Sequence, residues 1–183
     1  MLRPAIVSTC VFALALSGCA SHSDTKPAKL PRHPIEAVLA PVGEGKVAGT
    51  LEITEVPGGV RIQGQITGLV PDSMHGIHIH EHGDCTGADS GSVGGHFNPT
   101  GVEHGDPVGL VHHAGDIANQ VADAQGTINM DVTLHGVSLA NGTSDDVLGR
   151  AVVLDHDTDD YSTQPSGNSG PAIACGVILK KTN

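Results

Sequence analysis

At 183 residues the chain has the length of one domain with a tail, and its 25 glycines, 11 prolines and short apolar runs favour strands and turns over helices. Twenty acidic residues against nine basic ones give a formal charge of -11, which argues against a nucleic acid or an anionic membrane surface as an electrostatic partner. Twelve histidines, beside two Phe, one Tyr and no Trp, are the outlier of the composition.

The chain begins MLRPAIVSTCVFALALSGCA, with a basic start, an apolar run too short to span a bilayer, and small residues before a cysteine. Leu16-Ser17-Gly18-Cys19 resembles a bacterial lipobox. The expectation is a lipoprotein signal peptide over residues 1–18 and a lipidated Cys19 as the membrane anchor. Ala20, not Asp, follows the cysteine, which points to the cell envelope and an outer-membrane attachment facing the periplasm. Removal of Arg3 with the signal leaves 8 basic and 20 acidic residues, a formal -12. Cys10 would leave with it, and with Cys19 acylated only Cys85 and Cys175 remain. Two thiols in an oxidising compartment should pair. Closing a loop of about 90 residues stabilises a fold by about 4–5 kcal/mol in the chain-entropy model.

Residues 19–33 are polar, Pro-containing and without periodicity, the character of a flexible tether. From residue 34 to 183 the pattern becomes that of a single β domain. Val47, Leu51 and Ile53 alternate with polar neighbours. After Pro57-Gly58-Gly59 the alternation resumes at Val60, Ile62 and Ile66, which predicts a hairpin with one buried face. Ile128, Met130, Val132 and Leu134 form a second alternation, and shorter strands are expected at 35–40, 74–81, 117–123, 148–154 and 172–179. About eight short strands and no helical stretch predict an all-β antiparallel sandwich or flattened barrel. Two segments, 83–115 and 155–171, are long enough to be functional loops.

The strand at 76–81 would turn Ile77 and Ile79 to one face and His78 and His80 to the other, about 7 Å apart. The loop after it adds His96, His104, His112, His113 and Asp116. Imidazoles with one carboxylate suit borderline divalent metals such as zinc and copper.

The segments HGIHIHEHGDC, GGHFNP, HGDP, HHAGD, GRAVVL, SGNSG and ACGVI, in this order and spacing, resemble the copper/zinc superoxide dismutases of bacterial type over residues 35–179. The resemblance implies a Greek-key β-sandwich, Cu(II)/Cu(I) and Zn(II) as cofactors, and superoxide as the small-molecule substrate. A homodimer is among the assemblies it allows. It places copper at His78, His80 and His96, and zinc at His96, His104, His113 and Asp116. His96 becomes the shared, catalytic imidazole. Asp159 falls where a carboxylate joins histidines of both metals, Cys85 and Cys175 on the family disulfide, and His75 on a structural histidine. His82, His112 and His135 match no ligand.

Two positions depart from the family. The fourth copper histidine aligns with Asp155, next to His156, and three cases stay open: His156 substitutes, Asp155 ligates, or three histidines leave an open position. The active-site arginine aligns with Ala172. No Lys or Arg lies between Arg61 and Arg150, and residues 155–171 carry four Asp, so superoxide would meet an acidic rim. The expectation is a superoxide dismutase-like envelope lipoprotein of reduced activity. The alternative is a non-catalytic protein that buffers or delivers zinc or copper.

Overall fold

A computed structural model describes residues 34–182; the signal segment, Cys19 and the whole tether lie outside the described residues. Eight strands follow in chain order: β1 (Ile35–Pro41), β2 (Ala48–Val56), β3 (Gly59–Thr67), β4 (Met74–His80), β5 (Asp116–Val121), β6 (Ile128–His135), β7 (Ala151–Asp155) and β8 (Ala172–Lys180). All neighbouring pairs are antiparallel, in the order β5-β4-β7-β8-β1-β2-β3-β6. The sheet rolls into a nearly closed barrel whose edge strands β5 and β6 approach each other. The only described helix is a short 3₁₀ segment, Cys85–Ser90.

The period of two selects the buried face. Leu51 and Ile53 on β2, Val60, Ile62 and Ile66 on β3, and Ile128 and Met130 on β6 fill one core, while Glu52, Gln63 and Asn129 face water. Each fully buried aliphatic side chain contributes about 1.5–3 kcal/mol relative to exposure. The β2–β3 hairpin turns at Pro57-Gly58. Gly58 has φ 78°, the positive value that the third residue of a type II turn requires.

β7 is buried at every position. Val152 and Leu154 join the main core, while Ala151 and Val153 pack in a second cluster with Ala88, Val93 and Cys175. The disulfide Cys85–Cys175, with Cα atoms 5.7 Å apart, fastens that covering loop to β8. β7 starts later than the expected residue 148, because Gly149 adopts φ 84° and Leu148 lies in a turn held by Asp146.

Candidate metal centre

β4 delivers two histidines because it alternates. Ile77 and Ile79 are fully buried in the core, so His78 and His80 emerge on the opposite face. The loop after β4 then folds back along it. Phe97 N donates to Ile79 O at 2.7 Å, Ile79 N to Gly115 O at 2.9 Å, and Gly115 N to Phe97 O at 2.9 Å. This clamp sets His96 beside His80 and stacks its ring on His78, with centroids 3.8 Å apart. His104 and His113 also approach His96, edge-on, at ring separations of 5.3 and 5.6 Å.

Two groups result, each with its candidate ligand atoms within 4.8 Å of one another: His96, His104, His113 and Asp116, and His78, His80 and His96. His96 belongs to both. Asp116 lies 2.7 Å from His96 Nδ1, 3.0 Å from His104 Nδ1 and 3.4 Å from His113 Nδ1. Among the described residues, two buried side-chain polar atoms have no hydrogen-bond partner, and one falls in each group: His80 Nε2 and His113 Nδ1, the latter with Asp116 Oδ1 at 3.4 Å. Buried polar atoms are normally satisfied, so an orphaned imidazole nitrogen in each group is what a bound cation would complete. The donor set, imidazole with one carboxylate, fits zinc and copper.

Asp159 joins the two groups. Its Oδ2 accepts from His78 Nε2 at 2.8 Å, its Oδ1 from His104 Nε2 at 2.9 Å, and it is itself held by Tyr161 N at 2.7 Å. Gly167 makes this possible. A Cβ there would stand 1.8 Å from Asp159 Oδ1 and 2.8 Å from His104 Nε2, and its φ is 69°.

The electrostatics follow from burial and these pairs. Burial lowers His96, to about 4, against the opposing pull of Asp116. It also lowers His80 and His113. Burial penalises charge on His78 too, but hydrogen bonds to Asp155 and Asp159 overcome it and raise its pKa to about 9. Asp116 resists the upward push of burial and is held at about 2 by His96 and its other hydrogen bonds.

Of the two candidates for the fourth copper position, only Asp155 faces the group. It ends β7 on the same side as Val153; its Oδ2 lies 3.1 Å from His78 Nδ1 and accepts from Ser169 Oγ at 2.8 Å. His156 turns out to solvent and pairs with Asp157 at 2.7 Å. The irregularity that could have carried it inward falls on β8, where the pairing skips Ile173 between Leu154↔Ala174 and Asp155↔Ala172, so the alternation of β7 is undisturbed. Ala172 is thus directly across from Asp155. Arg150, the one Lys or Arg between Arg61 and Lys180, does not substitute for the absent arginine. It donates to Asp146 O and Glu81 O and lies over the Phe97 ring at 3.7 Å.

The remaining histidines separate cleanly. His75 is buried and braces the site, bonded to Asp155 O at 2.9 Å and Ser73 Oγ at 2.7 Å. His82 and His135 are exposed, and His112 bonds its neighbour's carbonyl. Sequence reasoning missed Ser169 and Gly167. Their segment SGNSG was noticed as a motif, but nothing in its residue types announces a carboxylate partner or a close approach.

Residues 47–178 match the family model described as copper/zinc superoxide dismutase (SODC). The chain belongs to the copper/zinc superoxide dismutase family. It is 40% identical over 140 residues to "Superoxide dismutase [Cu-Zn] 2" of Aquifex aeolicus (strain VF5), covering 74% of this chain and 81% of the relative. It is equally identical over 140 residues to "Superoxide dismutase-like protein YojM" of Bacillus subtilis (strain 168), covering 74% and 71%. Among solved structures, that of the clock protein EA4 matches with a TM-score of 0.70 at 38% identity, over 80% of this chain and 93% of that one. The family binds copper and zinc, and the two histidine groups are the candidate sites for them here.

Proposed function

We propose that this member of the superoxide dismutase family disproportionates superoxide at a low rate, as a lipid-anchored protein of the bacterial envelope. The observation that carries the reading is the sharing of His96 between two groups that each contain one orphaned buried nitrogen. His78, His80 and His96 would hold copper; His96, His104, His113 and Asp116 would hold zinc. Copper, when bound, supplies the one-electron redox change that converts two superoxides to oxygen and hydrogen peroxide.

The chain's own residues do the rest. His96, kept neutral by burial, exchanges a proton at the nitrogen facing the copper group. Asp159 fixes the rings of His78 and His104 and so ties the geometry of one group to the other. The low rate has two sources. A carboxylate at Asp155 favours Cu(II) over Cu(I) and so hinders one half of the cycle. Ala172 offers no charge to dock an anion, and Asp157 and Asp160 are exposed on the adjacent loop.

The acidic rim also favours a second reading, a metal buffer or carrier, since it attracts cations. The metal dependence of turnover decides between them. Purified protein is assayed for superoxide decay metal-free, with zinc alone, and with zinc plus copper. Decay that appears only with copper supports the enzyme; copper binding with no catalysed decay refutes it in favour of the carrier.

A further inference from the structure

The copper-type group is three imidazoles, and the Asp155 carboxylate stands beside it against His78, so that with Asp155 drawn in its donors would match those of the zinc group. We propose that His78, His80, His96 and Asp155 also form a second zinc(II) site, so that zinc can fill both groups across the shared His96 and leave a redox-silent form of the protein. The inference rests on the metal-centre reading above and adds a regulation to it.

One distance supports the match. Two donors on one tetrahedral zinc stand about 3.3 Å apart at ordinary zinc–ligand lengths. Asp155 Oδ2 lies 3.1 Å from His78 Nδ1, inside the range of 2.7 to 3.4 Å that Asp116 keeps from its three imidazoles. The three imidazoles already offer ligand atoms within 4.8 Å of one another, and Asp155, outside that group, approaches it at His78. His80 Nε2 is buried and has no hydrogen-bond partner, while the other ring nitrogen is bonded to Gly94 O at 2.9 Å.

Asp155 is also built in as a ligand would be. It is 6% exposed and is oriented by the Ser169 hydroxyl at 2.8 Å, the kind of outer hydrogen bond that holds metal-binding carboxylates. Asp116 is oriented in the same manner by the backbone N–H of His113 at 2.8 Å. Zinc is a d¹⁰ ion with no redox chemistry, so its presence in this group stops electron transfer without disturbing the fold. Copper(II) retains the higher intrinsic affinity for such donors, and the ion supplied decides which form exists. Ser169 is the positioning residue of the second site.

The test titrates metal-free protein, full length apart from any processed signal, with zinc alone. Bound equivalents are counted by elemental analysis after desalting, and cobalt(II) serves as an optical probe of tetrahedral coordination. The expected result is two equivalents in the wild type and one in Asp155→Asn. In Ser169→Ala the second step weakens by about tenfold or more, with recovery in Ser169→Thr. One equivalent in the wild type overturns the inference and leaves the zinc group standing. Two equivalents that survive Asp155→Asn also overturn it, because the carboxylate is then no ligand. No bound zinc overturns the metal-centre reading together with this one. The cobalt spectrum of the wild type requires no variant: two successive tetrahedral steps support the site, and a single step contradicts it.

Discussion

Asp159 gives the sharpest mutational test of a coupled centre, because one side chain serves both groups. Asp159→Ala removes the acceptors of His78 Nε2 and His104 Nε2, both of which are buried. Each stranded imidazole costs about 1–3 kcal/mol of desolvation that is no longer compensated. The loss of an outer carboxylate weakens metal binding by about 10- to 100-fold. Two groups lose a partner in one substitution, so metal-free stability should fall by about 2–6 kcal/mol. Both copper and zinc affinities should drop by at least tenfold. Urea unfolding of metal-free protein gives the first quantity, and competition with chelators of known affinity gives the second. Weakening of one metal with the other unchanged would refute the idea that Asp159 couples the groups. Asp159→Asn keeps one acceptor and should fall between the wild type and the alanine variant.

Gly167→Ala should act on the same carboxylate from behind, since its Cβ would overlap Asp159 Oδ1; we expect a loss of about 1–3 kcal/mol in urea unfolding together with weaker zinc binding. Asp146, a member of neither histidine group, accepts from Ala140 N, Gly142 N and Leu148 N at 2.9, 2.7 and 2.9 Å, and these donors outweigh burial and lower its pKa. A lowered folded pKa means that the unfolded chain binds more protons, so this stabilisation is complete above the ordinary carboxylate range and is lost as pH falls through the folded value. Asp146→Asn should therefore cost about 1–3 kcal/mol at pH 7, and its difference from wild type should shrink toward pH 3, as unfolding curves at both pH values would record. Reducing Cys85–Cys175 releases the loop that carries Ala88 and Val93 onto β7 and should lower stability by up to about 4–5 kcal/mol, read as the shift of the urea midpoint with reductant.

Much of this was legible in the chain because period-two alternation is strong wherever one face is buried. Ile77 and Ile79 against His78 and His80 predicted both the strand and the side from which the histidines emerge. The loop histidines and Asp116 were legible as a donor set by residue type, although their convergence depends on the backbone clamp of Phe97 and Gly115 to Ile79. The choice between Asp155 and His156 was not legible. It turned on whether a bulge sits in β7 or in β8, and the two strands read alike in sequence. Ser169 was hidden for a related reason. Its hydroxyl meets Asp155 only because residues 155–171 fold back over Gly76, where an added Cβ would meet Ser169 Cβ at 3.0 Å and His78 Cε1 at 3.2 Å.

The low rate is the central functional claim, and superoxide decay followed by pulse radiolysis or stopped flow on copper- and zinc-loaded protein tests it most directly. A missing charge-assisted contact is worth about 1.5–3 kcal/mol, or about ten- to hundredfold in rate. Because Ala172 lies directly across from Asp155, an arginine placed there alone would pair with that carboxylate and gain little. The account predicts a wild type at least tenfold below a family relative assayed alongside, little gain in Ala172→Arg, partial gain in Asp155→His, and the largest recovery in the double variant. A wild type already near the diffusion limit, unchanged by the double substitution, would contradict it.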